Sequence, residues 1–396
     1  MILSPKHRRI AMTAPVIMLG LVLLANPAGI LRRLGATDPT VAAAPPVGNQ
    51  ITILGSGDIL VHPPTWAQAR ADAAKAGRAG YYFDPVFHQI KGPVTAADLA
   101  LCHMEIPLSD QSPPMDFPAF RAPAEMAGTI ERTGWDGCST ASNHSFDQGE
   151  EGLRSTIAIF DRTGLGHTGT YTSEAASKIP KIYVVNGVKV AHLSFATMFN
   201  ERRGHFRPQR KPWLANRIDD PGSVAAAARA AKQAGADLVV LSPHWGTERA
   251  REPGPEQLAL AREWTANPDI DLVLGGHSHS VQPVEMINGK WVVYSMGNAL
   301  ARHDFATDTN REGIIPRFTF TRGPDGRWRA TQASVIPIWQ AMRPRIEVVN
   351  LPAALTRLPR LDGRRAVYGR AYDRIQERVF ANDAARHGLV VVAPLG

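Results

Sequence analysis

The sequence predicts a layered α/β fold, on three observations. Between residues 51 and 274, short apolar runs alternate with helical stretches of ten or more residues, the rhythm of strands packed beneath helices. The runs stop on glycine or on polar clusters, as strands do at the edge of a sheet. After residue 290 the rhythm changes to strands joined directly by turns such as Gly323-Pro324-Asp325-Gly326, which predicts antiparallel strands closing the second sheet of a sandwich.

In order, a strand over 51–54 ends in Gly55-Ser56-Gly57-Asp58, and a helix follows over 65–76 with alanine and charged residues on a helical period. Then come a strand (98–102), a helix (124–133), a strand (137–141) and a helix (150–163). A strand (188–195), a helix (223–235), a strand (237–242) and a helix (255–266) follow, before the short strand 272–274 stops on Gly275-Gly276. The antiparallel set is 291–295, 313–321 and 328–336. Residues 50–345 make one domain. Residues 346–396 read as an arginine-rich C-terminal extension with a helix over 368–386, which either caps the domain or meets a partner.

At the other end, Lys6, Arg8 and Arg9 precede an apolar stretch over 10–25, and residues 1–35 resemble an export signal or signal-anchor. Sixteen helical residues span ~24 Å, short of the ~30 Å hydrocarbon core. A cleaved signal and an uncleaved anchor are both compatible with this. The Ala-, Pro- and Thr-rich residues 36–49 read as a linker, so the main domain is expected to be exported and extracytoplasmic, secreted or anchored to the cell membrane.

A chain of 396 residues with 44% hydrophobic content can bury one large domain with appendages. Its charge of +8 favours anionic partners. Two cysteines, Cys102 and Cys138, exclude a disulfide-dense scaffold and a cysteine-rich zinc module; both end apolar runs and read as buried free thiols.

The chemistry gathers at the strand ends. The first gives Asp58 and His62, the second His103 and Glu105, the third Asn143, His144 and Asp147, a later one His244, and the last His277 and His279. On an extended segment His277 and His279 project to one side, with Ser278 opposite. Open α/β sheets bind ligands beyond the carboxyl ends of their strands, so these groups are expected to meet in one cleft. Carboxylates, imidazoles and an amide oxygen suit two divalent cations, one carboxylate bridging them.

The motifs GDILVH (57–62), MEIPL (104–108), SNHSFDQGEEGL (142–153), SPHWGTE (242–248), GGHSHSVQP (275–283) and VVYSMGN (292–298) stand in an order that closely resembles the CapA family. That family is named for poly-γ-glutamate capsule synthesis, and its domain is similar to the calcineurin-like metallophosphoesterases. The resemblance covers about residues 51–340. It implies a four-layer α/β/β/α sandwich, a dinuclear centre of manganese, iron or zinc, and a part in envelope polymer biosynthesis, within a capsule-synthesis complex. By the same resemblance Asp58 and His279 would hold one metal, Glu105 would bridge, and Asn143, His244 and His277 would hold the other. His144 would be the general acid, oriented by Asp147. The sequence departs from the superfamily pattern twice: Leu60 stands where the first motif carries histidine, with His62 as the substitute ligand, and Glu105 stands where the bridging aspartate is usual.

His103, Asn200, Arg202, Arg203 and Glu248 are candidate substrate contacts, although His103 also suits a satisfied core position. Residues 202–211 carry five fixed positive charges after a strand, suited either to solvation or to gripping an anionic polymer or phosphoester. Nucleic acid finds no recognition module here. Three functions fit: a metal-dependent phosphoesterase-like hydrolase, a membrane-anchored polymer-binding or export component without turnover, and metal-assisted His/Asp acid–base chemistry on a peptide-like substrate.

Overall fold

The computed structural model describes residues 48–200, 211–220, 222–302 and 308–395. The expected signal segment, all but the last two residues of the linker, and Arg202 and Arg203 lie outside them.

Two mixed sheets carry the fold. In the larger, the strand order is Glu347–Asn350, Trp328–Ala341, Glu312–Arg322, Gln50–Ile59, Leu99–Met104, Gly137–Ser139, Gly166–Thr168. Asn298–Leu300 is added beside Gln50–Ile59, and Leu389–Val391 beside Trp328–Ala341. The smaller runs Val284–Ile287, Lys290–Val293, Leu272–Leu274, Leu238–His244, Val188–Ala196, Lys181–Val185. The antiparallel strands after residue 310 therefore extend the sheet of the first strand; they do not build the second. The second is assembled from the parallel strands 188–196, 238–244 and 272–274, a partition that strand order along the chain does not encode.

Period-two alternation explains how both faces are buried. Ile51, Ile53, Leu99 and Leu101 share one apolar cluster with Val190, Leu238, Val240, Leu272 and Leu274 of the smaller sheet. Their neighbours Leu54, Ala100 and Cys102 point the other way, into a cluster with Phe83, Phe87, Met126, Ile130 and Phe160. On the smaller sheet Ala191, Leu193, Val239, Leu241 and Val273 meet Val224, Ala228, Ala261 and Trp264 of helices Ser223–Gln233 and Pro255–Ala266. Strands buried on both faces read as continuous apolar runs, which is why these were legible.

The first strand does not end at residue 54 but continues to Ile59, wholly buried. Its glycines permit close approach rather than a stop: a Cβ on Gly57 would lie 2.0 Å from Gly297 O. The pairing with Leu99–Met104 shifts register between Gly55 and Asp58, an irregularity that re-aims Asp58 at the strand end.

Cys102 and Cys138 are a disulfide, not free thiols. They face each other in register on adjacent parallel strands, with Cα atoms 4.4 Å apart, a pairing that only the tertiary register reveals. Their separation of 36 residues gives about 4 kcal/mol of stabilisation in the chain-entropy picture. Cys102→Ala with Cys138→Ala is thus expected to lower the denaturant midpoint clearly and to steepen the slope, because the unfolded chain without the crosslink exposes more surface; equal midpoints would deny the crosslink any stabilising role.

The C-terminal residues cap the domain. Helix Gly363–Val379 lays Tyr372, Ile375 and Val379 on the shared core, and its Arg374 and Arg378 reach the buried Glu312 at 2.6 and 3.1 Å. The helix starts five residues before the expected one and ends seven before it, where Phe380 closes it. No helix among the described residues is long and apolar enough to cross a membrane.

Candidate metal centre

The loop after Leu272–Leu274 is not extended: His277 and His279 both adopt left-handed backbone, at φ +91° and +53°. Their convergence comes from this turn and not from strand alternation. Non-glycine residues hold such angles at a cost, which is characteristic of functional sites. Gly276 lets the turn press against the first strand, since a Cβ there would lie 2.5 Å from Asp58 Oδ1. The backbone N–H of His277 donates to Asp58 Oδ2 at 3.1 Å, tying the last motif to the first.

Two groups of three side chains each bring one ligand atom per residue within 4.8 Å of one another: Asp58, His103 and His244, and Asp58, Glu105 and His279. All five residues are buried. Glu105 Oε1 lies 3.4 Å from His279 Nε2 and 3.9 Å from His244 Nε2, so it stands between the two imidazoles. The His277 ring is 4.5 Å from that of His244, whose Nε2 lies 2.9 Å from Asn143 Oδ1. His279 Nδ1 faces Asp58 Oδ2 at 3.2 Å and Asn298 Oδ1 at 2.9 Å. Asn298, which sequence reasoning missed, orients the ring through its own contacts to His279 O and Asn310 O.

The donor set fits divalent cations on a specific observation. Asp58 Oδ1, both oxygens of Glu105, His103 Nε2, His244 Nδ1 and His277 Nδ1 are buried with no hydrogen-bond partner among the described residues. Buried polar atoms are nearly always satisfied, so six in one cluster call for a ligand. Electrostatics agree. Burial pushes Glu105 up to about 7, helped by the Asp58 charge. Burial also lowers His103, His244 and His277, the last to about 4, keeping these rings in the neutral form that binds metal. His279 is the exception: burial works against its charge, but Glu105 and Asp58 overcome it and raise it to about 10. The burial penalty on Asp58 is likewise outweighed, chiefly by the His279 hydrogen bond, and its pKa is lowered.

His62 does not join either group. Its Nδ1 accepts from the backbone N–H of Arg302 at 3.0 Å, and its ring packs edge-on to Phe120. The residue is the N-cap of helix Pro63–Lys75, and its side chain makes no capping hydrogen bond to that helix.

Beside this cluster lies a pocket of about 420 Å³, whose lining includes Phe117, Phe120, Asn143, His144, Arg249 and His279. His144 Nδ1 is 2.7 Å from Asp147 Oδ2, which also accepts from the backbone N–H of Phe120 at 2.9 Å. Burial opposes the charged ring, yet the Asp147 hydrogen bond and the Glu105 charge raise its pKa. Asn200 reaches the same Nδ1 at 3.3 Å, and its backbone N–H donates to Asn143 O. Glu248 is exposed on the pocket lining. Lys211, the one described residue of the basic run 202–211, pairs with Glu150 at 2.7 Å.

The family model described as "Bacterial capsule synthesis protein PGA_cap" matches residues 52–303. Among curated proteins, the chain is 28% identical over 198 residues to "PGA biosynthesis protein CapA" of Bacillus subtilis, covering 50% of each. It is 30% identical over 178 residues to "Capsule biosynthesis protein CapA" of Bacillus anthracis, covering 45% of this chain and 43% of that one. The chain thus spans about half the length of the curated relatives it matches. Among solved structures, the calcineurin-like phosphoesterase YfkN from Bacillus subtilis aligns over 83% of this chain and 97% of that one, at 15% identity and a TM-score of 0.43. The NAD nucleotidase of Haemophilus influenzae aligns over 88% and 65%, at 11% identity and a TM-score of 0.36.

Proposed function

Because the chain belongs to the bacterial capsule synthesis protein family, whose model matches residues 52–303, we propose that it is a metal-dependent hydrolase acting outside the cytoplasm on an envelope polymer or a related phosphoester. The observation that carries this is the set of six ligand atoms on Asp58, Glu105, His103, His244 and His277 that have no hydrogen-bond partner among the described residues, buried beside a pocket lined by His144, which is paired with Asp147. When bound, two divalent cations there supply Lewis-acid polarisation of an oxyanion-forming bond. The chain's own residues do the rest. His144, kept charged by Asp147, protonates the leaving oxygen. Asn143 and Asn200 fix one edge of the pocket, Phe117 and Phe120 wall the other, and Arg249 offers a cation to an anionic chain. The same His144–Asp147 pair would serve acid–base chemistry on a peptide-like substrate. Placement outside the cytoplasm is supported by the Cys102–Cys138 disulfide.

Metal content of the full chain, measured by plasma mass spectrometry, tests this. About two equivalents are expected, falling in His277→Ala and in Asp58→Ala. A chain that retains no manganese, iron or zinc after reconstitution, yet holds polyglutamate, is a polymer-binding component and not a hydrolase.

A further inference from the structure

We propose that His103 is a metal ligand, completing a group with Asp58 and His244. The inference rests on the reading that this centre holds cations. It concerns which side chain completes the group around Asp58.

His103 is the second-last residue of the strand Leu99–Met104, directly across the parallel register from Asp58. Along that strand Leu99 and Leu101 face the core between the sheets, so period-two alternation sends His103 and then Glu105 to the same side. The ring is 5% exposed and stands 4.8 Å from the ring of His244. One of its ligand atoms lies within 4.8 Å of those of Asp58 and His244.

The hydrogen bonding decides which nitrogen is available. Nδ1 lies 2.8 Å from Ser139 Oγ, and that hydroxyl donates onward to Cys102 O at 3.3 Å. The tautomer that satisfies both contacts has Nδ1–H donating to Ser139 Oγ and the hydroxyl donating on to Cys102 O. Nε2 is then a bare lone pair, and no group among the described residues meets it. A core histidine would have both nitrogens satisfied. An imidazole whose far N–H is anchored and whose near nitrogen is empty is oriented as metal-bound histidines are. The anchor is itself braced, because Cys102–Cys138 is the register pair immediately before His103–Ser139. His62, the ligand expected from the sequence, has its Nδ1 engaged by backbone and stands in neither group.

Asp58 belongs to both groups. With His103 as a ligand, the aspartate is therefore shared between a site with His103 and His244 and a site with Glu105 and His279.

The test is cobalt(II) titration of the metal-free full chain, followed through the visible ligand-field bands, with melting of each metal-free variant as the check on folding. About two equivalents are expected for the unaltered chain and for His62→Ala, and about one for His103→Ala. Added imidazole should restore band intensity in His103→Ala, as a merely structural histidine would not allow. Ser139→Ala keeps the ring but removes its anchor, and is expected to weaken one site by roughly 10–100-fold. Unaltered stoichiometry and bands in His103→Ala, or unaltered affinity in Ser139→Ala, would overturn the assignment while leaving the hydrolase reading in place. An unaltered chain that takes up no cobalt overturns both.

Discussion

Replacing His144 with alanine is expected to lower turnover of an alkyl phosphoester by roughly 10²–10⁴-fold while leaving the metal content intact. The size follows from the role: a poor leaving oxygen needs a proton as its bond breaks, and His144 is the charged ring that faces the pocket. A nitrophenyl ester, whose leaving group needs no proton, should lose far less. An equal loss on both substrates would mean that His144 does not act as the acid. The pH profile adds a second check. His144 is raised above its ordinary value because the Asp147 hydrogen bond and the Glu105 charge overcome burial, so it stays protonated to higher pH than a free imidazole. Acid function, and the stability the charged pair contributes, are full below the unfolded-state pKa and lost as pH rises through the raised one. Asp147→Asn removes the stronger support and leaves burial dominant. The alkaline limb of activity should then move to lower pH. A limb that stays put would assign it to another group.

Most of the centre was legible because strand ends in an α/β sheet meet at one edge. Asp58, Glu105, Asn143, His244, His277 and His279 each follow an apolar run, and the structure brings them together. At two positions the local pattern and the geometry point different ways. His103 sits between Cys102 and Met104 and read as a core or substrate-rim residue. The alternation Leu99, Leu101, His103, Glu105 was nonetheless in the sequence and points it into the site. His62 follows Asp58 closely along the chain, but its Nδ1 meets the backbone N–H of Arg302 and it stands in neither group. The disulfide and the assignment of strands to sheets depend on register between distant segments, which no local pattern carries. Gly55 and Gly57 read as a strand end because glycine is ambiguous between a turn and a close contact, and here the contact with Gly297 decides.

Glu105→Gln separates what the centre does for the fold from what it does for a cation. In the metal-free protein Glu105 is buried, neither oxygen has a hydrogen-bond partner among the described residues, and its pKa is pushed up from 4.5 to about 7. Between those two values the native state holds a proton that the unfolded chain has released, so the contribution of Glu105 to stability falls as pH rises through this window and is level on either side. A shift of this size corresponds to about 3 kcal/mol across the window. Glutamine does not titrate, so the metal-free variant should lack this fall, whatever constant offset its buried amide introduces. Adding metal should reverse the comparison. At a hundredfold excess over its dissociation constant a cation stabilises the native chain by about 2.7 kcal/mol. Glu105→Gln should lose most of the gain from the site that Glu105 would share with Asp58 and His279, because a neutral amide is a poor replacement for a carboxylate toward a divalent cation. Melting at several pH values, with chelator and with metal, reads both effects. Parallel pH curves for the two metal-free proteins would show that Glu105 is not held as a strained carboxylate. A crossing of the curves on adding metal is the behaviour of a site whose buried charge is unfavourable to the empty fold and is offset only when a cation arrives.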